Sequence, residues 1–447
     1  MRFNQLENAR VAILGAGREG QAVWRQIRRR FPDKHLSIFA EADIDTEFLN
    51  KLDPLLDEYH IAPLDFDSLK NFDVLVRSAG ISPYRRELQQ LRAAGKQFTS
   101  ASSLWFAENP DAKTICISGT MGKSTTAKIL AHLLSHAGVK VCLAGNIGQH
   151  MLDSEQTEVD WWIIELSSYQ LSDLEAKPDI AVLLNLSEEH VDWHGSVERY
   201  GEDKLRLAEL AGEGRVLANF ADAALAERLV DKANVIWFNH DKTWLAGEDG
   251  VVGHKTGLLP APVTLPGAHN MQNLAAALTV TDMLGVEIKN LNTVLESFRG
   301  LPHRQQYIGK KNGVRYINDS ISTTPVSVAA ALQTIGTTDV VLLLGGLDRG
   351  LDWSEFARQL AERTPFAIIT LPDSGPKISN CLEMASVRPS GGLHTAENLS
   401  NAVELARQIV PDNGCVLLSP GAASFPHFKD YADRGRRFEE FAAIDKT

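Results

Sequence analysis

The stretch "ICISGTMGKSTTAKILAHLL", residues 115–134, concentrates residue types that handle phosphate. An apolar run leads into Gly119, Thr120, Met121, Gly122, Lys123, Ser124 and Thr125, and an apolar-periodic helix pattern follows. Glycines without a Cβ let backbone N–H groups turn onto phosphate oxygens. Lys123 adds a point charge, and the hydroxyl of Ser124 or Thr125 suits Mg²⁺. A strand before and a helix after argue against a plain glycine turn with a surface lysine. The loop is nonetheless too short for the usual G-x-x-x-x-G-K-[ST] pattern, because only Thr120 and Met121 separate Gly119 from Gly122. Such a loop points to a specialised class of nucleotide enzyme.

Further candidates lie at the ends of other apolar runs. "WWIIELSSYQ" sets Glu165 at the C-terminal end of a strand, the edge of an open parallel sheet where ligands sit. A carboxylate there either holds Mg²⁺ opposite the phosphate loop or simply faces solvent. "LLNLSEEHVDWHG" brings His190 and Asp192 to the end of the next strand, and His190 becomes a candidate ligand; His194 lacks comparable support. "GAGREG" places Gly15, Gly17 and Gly20 between a strand and a helix, with Glu41 ending the following strand. That is the spacing of a dinucleotide fingerprint, although a tight strand–helix turn reads the same way and nothing in it requires nicotinamide. Three hydroxyl- and glycine-rich loops, residues 318–325, 342–350 and 417–428, also follow strand-like runs, and Arg349 in the second suits an anionic ligand.

These residues need a scaffold that brings strand ends together. Residues 1–110 alternate strand-like and helix-like segments, the pattern of a doubly wound parallel sheet. A second alternation fills 111–303, with a glycine-rich local sheet or loop at 244–266, and a third fills 304–447. The expected fold is therefore α/β in three domains. A net charge of −12 argues against a nucleic-acid partner. The four cysteines show neither C-x-x-C nor zinc spacing and read as reduced thiols. No apolar run approaches the roughly 20 residues that span a bilayer, and no signal-like h-region opens the chain. A soluble cytoplasmic chain with no membrane partner, acting as a monomer, is expected.

Taken in order, "GTMGKST", "GNIG" (145–148), "ELSSYQ", "NLSEEHVD", "HNMQN" (269–273), "LPHR" (301–304), "NDS" and "LLSPGAASF" resemble the Mur ligase family over essentially the whole chain. These are the ATP-dependent amide ligases that build the peptidoglycan stem peptide. The resemblance implies an N-terminal Rossmann-like UDP-binding domain, a central P-loop ATPase-like domain and a C-terminal Rossmann-like domain. It implies that Lys123 and Ser124 hold ATP phosphates and one Mg²⁺, that Glu165 and His190 are magnesium ligands, and that Lys204 is carbamylated to support a second ion. Asn273, Arg304 and Asp319 then contact ATP, while Asn146, Ser167 and Gln170 lie near a muramoyl-alanine substrate. Gly15, Gly17, Arg18, Glu19, Glu41, Ser78 and Gly80 fall on the UDP side; Thr323, Arg349, Ser424 and Tyr431 fall where an incoming glutamate binds.

The departures from the family pattern are Met121, where Asn or Lys is usual, "SAG" (78–80) for S-P-G, and Ile321, where D-glutamate-adding members carry Lys. Together with "GISPYR" (80–85), "LWFAE" (104–108) and "DRGLDW" (348–353), the last departure resembles a branch that adds L-glutamate to UDP-N-acetylmuramoyl-L-alanine and leaves inversion to a separate epimerase. Addition of D-glutamate is the alternative. A folylpolyglutamate-synthetase-like ligase shares the central loop but does not account for GAGREG ahead of it. An NAD-dependent oxidoreductase leaves Lys123, Glu165 and His190 without a role, and only Met121 hints at a non-catalytic nucleotide binder.

Overall fold

The computed structural model describes residues 1–443 except 42–45, 148–149, 155–157, 190, 213, 254–256, 263, 266, 301 and 336. Its first sheet contains β1 (Val11–Leu14), β2 (Leu36–Ala40), β3 (Asp57–Ile61), β4 (Val74–Arg77) and β5 (Gln97–Ser100), in the order β3-β2-β1-β4-β5. Every pairing is parallel. The order reverses between β1 and β4, which opens a crevice at their carboxyl ends. Strands β1, β2 and β4 are buried along their whole length, as a sheet covered on both faces requires.

The second sheet contains β6 (Thr114–Ser118), β7 (Val141–Gly145), β8 (Trp161–Glu165), β9 (Ile180–Leu183), β10 (Arg215–Asn219) and β11 (Val235–Phe238). The order is β11-β10-β9-β6-β8-β7, again parallel throughout. β6 therefore lies between β8 and β9, and the loops leaving all three strands emerge at one edge. A small three-stranded sheet, β12 (Leu245–Ala246), β13 (Gly250–Gly253) and β14 (Gly257–Pro260), fills the glycine-rich stretch. The third large sheet contains β15 (Gln306–Lys311), β16 (Val314–Asn318), β17 (Val340–Gly346), β18 (Ala367–Asp373), β19 (Leu393–Thr395) and β20 (Cys415–Leu418). Its order is β15-β16-β20-β17-β18-β19, with β15 antiparallel to β16 and the rest parallel.

The chain forms two compact units. One comprises residues 1–247, 251–259 and 272–290 and contains the first two large sheets; the other comprises 248–250, 260–271 and 291–447 and contains the third. The four cysteines are free thiols, and burial pushes those of Cys116, Cys142 and Cys415 up. Among the described residues no helix is long and apolar enough to cross a membrane.

Inside the first unit, a charge fixes the segment after β8 against the end of β4. The fully buried Arg77 side chain donates through Nε to Asp173 Oδ2 at 2.8 Å and through Nη2 to Asp173 Oδ1 at 2.6 Å. It also donates to the Tyr169 carbonyl at 3.1 Å. A bidentate, buried pair of this kind holds its partners in one orientation, and deleting one member strands the other charge. Arg77→Met is expected to lower the unfolding free energy by about 3 kcal/mol in urea titration. A loss below about 1 kcal/mol would mean that the exposed Arg92, 3.3 Å from Asp173, suffices as its partner.

Candidate functional site

The short phosphate loop is shaped by its neighbours rather than by its own length. Gly122 caps the helix Lys123–His136 at φ +83°, and a Cβ there would come within 2.2 Å of Asn273 Oδ1. Glycine is thus required by both conformation and space. Asn185, just past β9, braces the loop by three hydrogen bonds: its carbonyl accepts from Thr120 N, its Oδ1 from Met121 N, and its Nδ2 donates to Met121 O. The Met121 side chain is 70% exposed. Thr120 turns inward, with its hydroxyl 2.9 Å from the Tyr200 hydroxyl and accepting from Ser187 N at 3.0 Å. Thr125 is half-buried on the first turn of the helix.

At the same sheet edge Glu165 is buried, and both its oxygens are engaged. Ser124 Oγ donates to Oε2 at 2.6 Å and Asn146 Nδ2 to Oε1 at 3.2 Å. Lys123 Nζ donates to the carbonyls of Gly119 and Thr120 at 2.8 and 2.9 Å. Lys204, from the helix Val197–Leu210, donates to the same Gly119 carbonyl at 2.7 Å. Burial first, and the charge of Lys123 second, lower the Lys204 amine to about 7. A neutral amine in reach of neutral pH is the form that combines with CO₂, whereas the ammonium does not. His190 lies outside the described residues, as does Gly148; among the described residues no group of three His, Cys, Asp or Glu side chains converges as a metal cage.

The first two sheets share one cavity of about 550 Å³. Gly15, Gly17, Arg18 and Glu19 line it from the GAGREG turn, and Ser78 and Gly80 from the end of β4. Lys123, Asn146, Ser167, Gln170 and Lys204 line it from the second sheet. The turn is tight because a Cβ at Gly20 would fall 1.9 Å from the Gly15 carbonyl oxygen. Glu19 bridges the walls, accepting from Ala79 N at 2.6 Å and from Gln170 Nε2 at 2.9 Å. Glu41 is not among the residues lining this cavity. Its carboxylate forms a bidentate pair with Arg85 at 2.7 and 2.8 Å and accepts from Leu64 N.

In the second unit, the loops after β16, β17 and β20 leave one sheet edge and carry Thr323, Arg349 and Ser424; Tyr431 begins the final helix, Tyr431–Ala442. Arg349 and Arg304 are exposed and Thr323 is half-buried, whereas Ser424 lines a cavity of about 440 Å³ beside Arg434. The buried Arg434 guanidinium donates to Ser320 Oγ, the Ser320 carbonyl and the Ala422 carbonyl, tying the first loop to the third. Asp319 is held inside this unit: Oδ2 accepts from Ser322 Oγ at 2.6 Å and Ser419 Oγ at 2.7 Å, and Oδ1 from Gln305 N at 3.0 Å. Burial nevertheless pushes its carboxyl up to about 6 against those three bonds.

Residues 117–281 match the family model of the Mur ligase middle domain, and residues 303–421 that of the Mur ligase glutamate ligase domain. The chain is 43% identical to a UDP-N-acetylmuramoyl-L-alanine--L-glutamate ligase of Xanthomonas oryzae pv. oryzae, covering 100% of this chain and 97% of that protein. It is 40% identical to the protein of the same name from Xylella fastidiosa, with the same coverage. The chain belongs to the Mur ligase family. Its fold is shared with the MurF ligase of Thermotoga maritima, solved in complex with ADP, at a TM-score of 0.57, 18% identity, and coverage of 99% of this chain and 96% of that one. The α/β architecture in three domains is that of the family. As a Mur ligase the chain is an ATP-dependent, amide-bond-forming enzyme, so the reading as an NAD-dependent oxidoreductase falls away.

Two consequences of the geometry can be measured. Asn185→Ala removes the two side-chain braces from the phosphate loop, leaving the carbonyl one, and is expected to raise the KM for ATP about tenfold, the equivalent of one net hydrogen bond. Met121→Asn, at an exposed side chain, is expected to change it less than about threefold; a reversed ranking would refute the bracing role. For Asp319 the folded carboxyl titrates above its ordinary range, so its contribution to stability is full below that range and fades as pH rises through about 6. Relative to Asp319→Asn, the wild type should lose about 3 kcal/mol between about pH 4 and pH 8. Parallel stability curves for the two proteins would contradict the shift.

Proposed function

We propose that this Mur ligase joins L-glutamate to UDP-N-acetylmuramoyl-L-alanine at the expense of ATP, in the synthesis of peptidoglycan precursors. The observation that carries the reading is the cavity lined at once by the GAGREG turn and by Lys123 and Lys204. A nucleotide sugar with a peptide arm is an elongated anion that suits such a cavity, with its diphosphate at the glycine turn and its carboxylate toward the phosphate loop. Relatives covered end to end are named for the same reaction. Ile321 in place of the lysine of D-glutamate-adding members favours the L-enantiomer.

On this reading residues 1–110 bind the UDP moiety, 111–303 bind ATP, and 304–447 bind glutamate through Thr323, Arg349, Ser424 and Tyr431. The alanyl carboxylate attacks the γ-phosphate of ATP in line and releases ADP. Lys123 offsets the negative charge that builds on the transferred phosphoryl oxygens, while the loop amides hold the rest of the phosphate chain. The glutamate amine then displaces phosphate from the acyl phosphate. Ser124 and Glu165, whose oxygens lie 2.6 Å apart, would offer hard donors that fit Mg²⁺, and His190 and a carbamylated Lys204 would add further ligands. The ion supplies positive charge against phosphate oxygens. We read the enzyme as a cytoplasmic monomer whose product is passed to an epimerase.

ADP release with UDP-N-acetylmuramoyl-L-alanine and either L- or D-glutamate tests the proposal. L-glutamate should support turnover, and Lys123→Ala should abolish ligation and ADP release together. Strict use of the D-enantiomer would overturn the branch assignment alone; no turnover with either would overturn the function.

A further inference from the structure

Four side chains that the proposed chemistry does not use form one hydrogen-bonded chain in the cavity wall. His194 Nδ1 lies 2.6 Å from Asp203 Oδ2, and His194 Nε2 lies 3.0 Å from Ser168 Oγ. The Tyr84 hydroxyl donates to Asp203 Oδ1 at 2.5 Å. Ser168, His194 and Asp203 are 3%, 2% and 5% exposed, yet Ser168 still lines the cavity together with Lys123, Ser167 and Gln170. The rings of Tyr169, Trp193 and Tyr200 surround the imidazole, at 5.6, 4.5 and 5.2 Å between centroids.

The polarity of this chain follows from counting donors. Burial, and then Asp203, push the Tyr84 phenol up, so Tyr84 donates and Asp203 accepts on both oxygens. Asp203 therefore takes the Nδ1–H of His194, so the tautomer this pairing selects turns Nε2, as an acceptor, toward Ser168. The Ser168 hydroxyl donates into the ring, which leaves its lone pairs for a donor in the cavity. A hydroxyl backed by imidazole and carboxylate is the arrangement that moves a proton off a cavity ligand.

Ligation needs such a group. Glutamate arrives as an ammonium and attacks only as a free amine. Glu165 is committed to Ser124 and Asn146, and both lysines of the cavity donate to Gly119. We propose that Ser168, His194 and Asp203 form the proton relay that frees the incoming amine. The ammonium proton passes to Ser168 Oγ as the Ser168 proton passes to His194 Nε2, and Asp203 stabilises the imidazolium. The C–N bond then forms, the C–O bond to phosphate breaks, and phosphate leaves with the electron pair. The second nitrogen proton goes to the departing phosphate, and His194 returns its proton to water after release. Ser168 is the catalytic contact; His194 and Asp203 act through it.

The relay rests on the ligase reading, and hydroxylamine separates the two. Hydroxylamine is a free base at neutral pH, so it captures the acyl phosphate as a hydroxamate without needing a proton acceptor. Full-length His194→Gln and Ser168→Ala are assayed with ATP and UDP-N-acetylmuramoyl-L-alanine, once with L-glutamate and once with hydroxylamine, alongside thermal unfolding. Both variants should lose about 100-fold in kcat for ligation while hydroxamate formation stays within about threefold of wild type. Equal losses in the two assays from a folded Ser168→Ala protein, or unchanged ligation, overturn the relay. Absence of both glutamate ligation and hydroxamate from the wild type overturns the ligase reading itself and the relay with it.

Discussion

The Gly119 carbonyl accepts from both Lys123 and Lys204, and much of the first compact unit depends on that convergence. Two ammonium groups directed at one oxygen repel each other, and burial adds a desolvation cost to the deeper one. The lowered Lys204 amine expresses that tension. It is relieved by bringing an anion into the cavity or by converting the amine into an anion itself. Where the amine stays unmodified, the positive potential is in place before substrate arrives, and its alignment costs nothing during the reaction. Perturbed groups of this kind are common where a fold stores free energy for chemistry.

Parallel sheets explain why the convergence occurs where it does. β6, β8 and β9 are adjacent and run the same way, so their carboxyl ends deliver the phosphate loop, Glu165 and Asn185 to a single edge. The first sheet adds a second edge with its own reversal between β1 and β4, and both edges border the same cavity. The third sheet repeats the device within its own unit, where Arg434 draws the loops of β16 and β20 together. One architectural rule, used three times, gathers residues that are far apart in sequence.

That rule is also why so much was legible. Apolar runs of four to seven residues ending in glycine, hydroxyl or acidic residues mark buried strands and their active edge, and the phosphate loop, Glu165 and the GAGREG turn follow from them. Partnerships across the fold leave no such mark. Arg77 and Asp173 are 96 residues apart, and Tyr84 and Asp203 are 119 apart. His194, without support in the linear pattern, gains its meaning only from Asp203 and Ser168 in space. Glu41 shows the converse: its position at a strand end suggested the UDP side, and that position also puts it within reach of Arg85.

The shortness of the phosphate loop, the feature most at odds with a nucleotide site, has a physical basis in Asn185. A longer loop closes on itself through its own backbone hydrogen bonds. Here two residues bridge the glycines, too few for such closure, and the main-chain groups of Thr120 and Met121 pair instead with the carbonyl and amide of Asn185. The brace comes from the neighbouring strand end, so it is as rigid as the sheet. It also frees the side chain at position 121 from any structural duty, which is why an exposed methionine is tolerated there. The loop contributes its glycine geometry and Lys123, and the sheet contributes the stiffness.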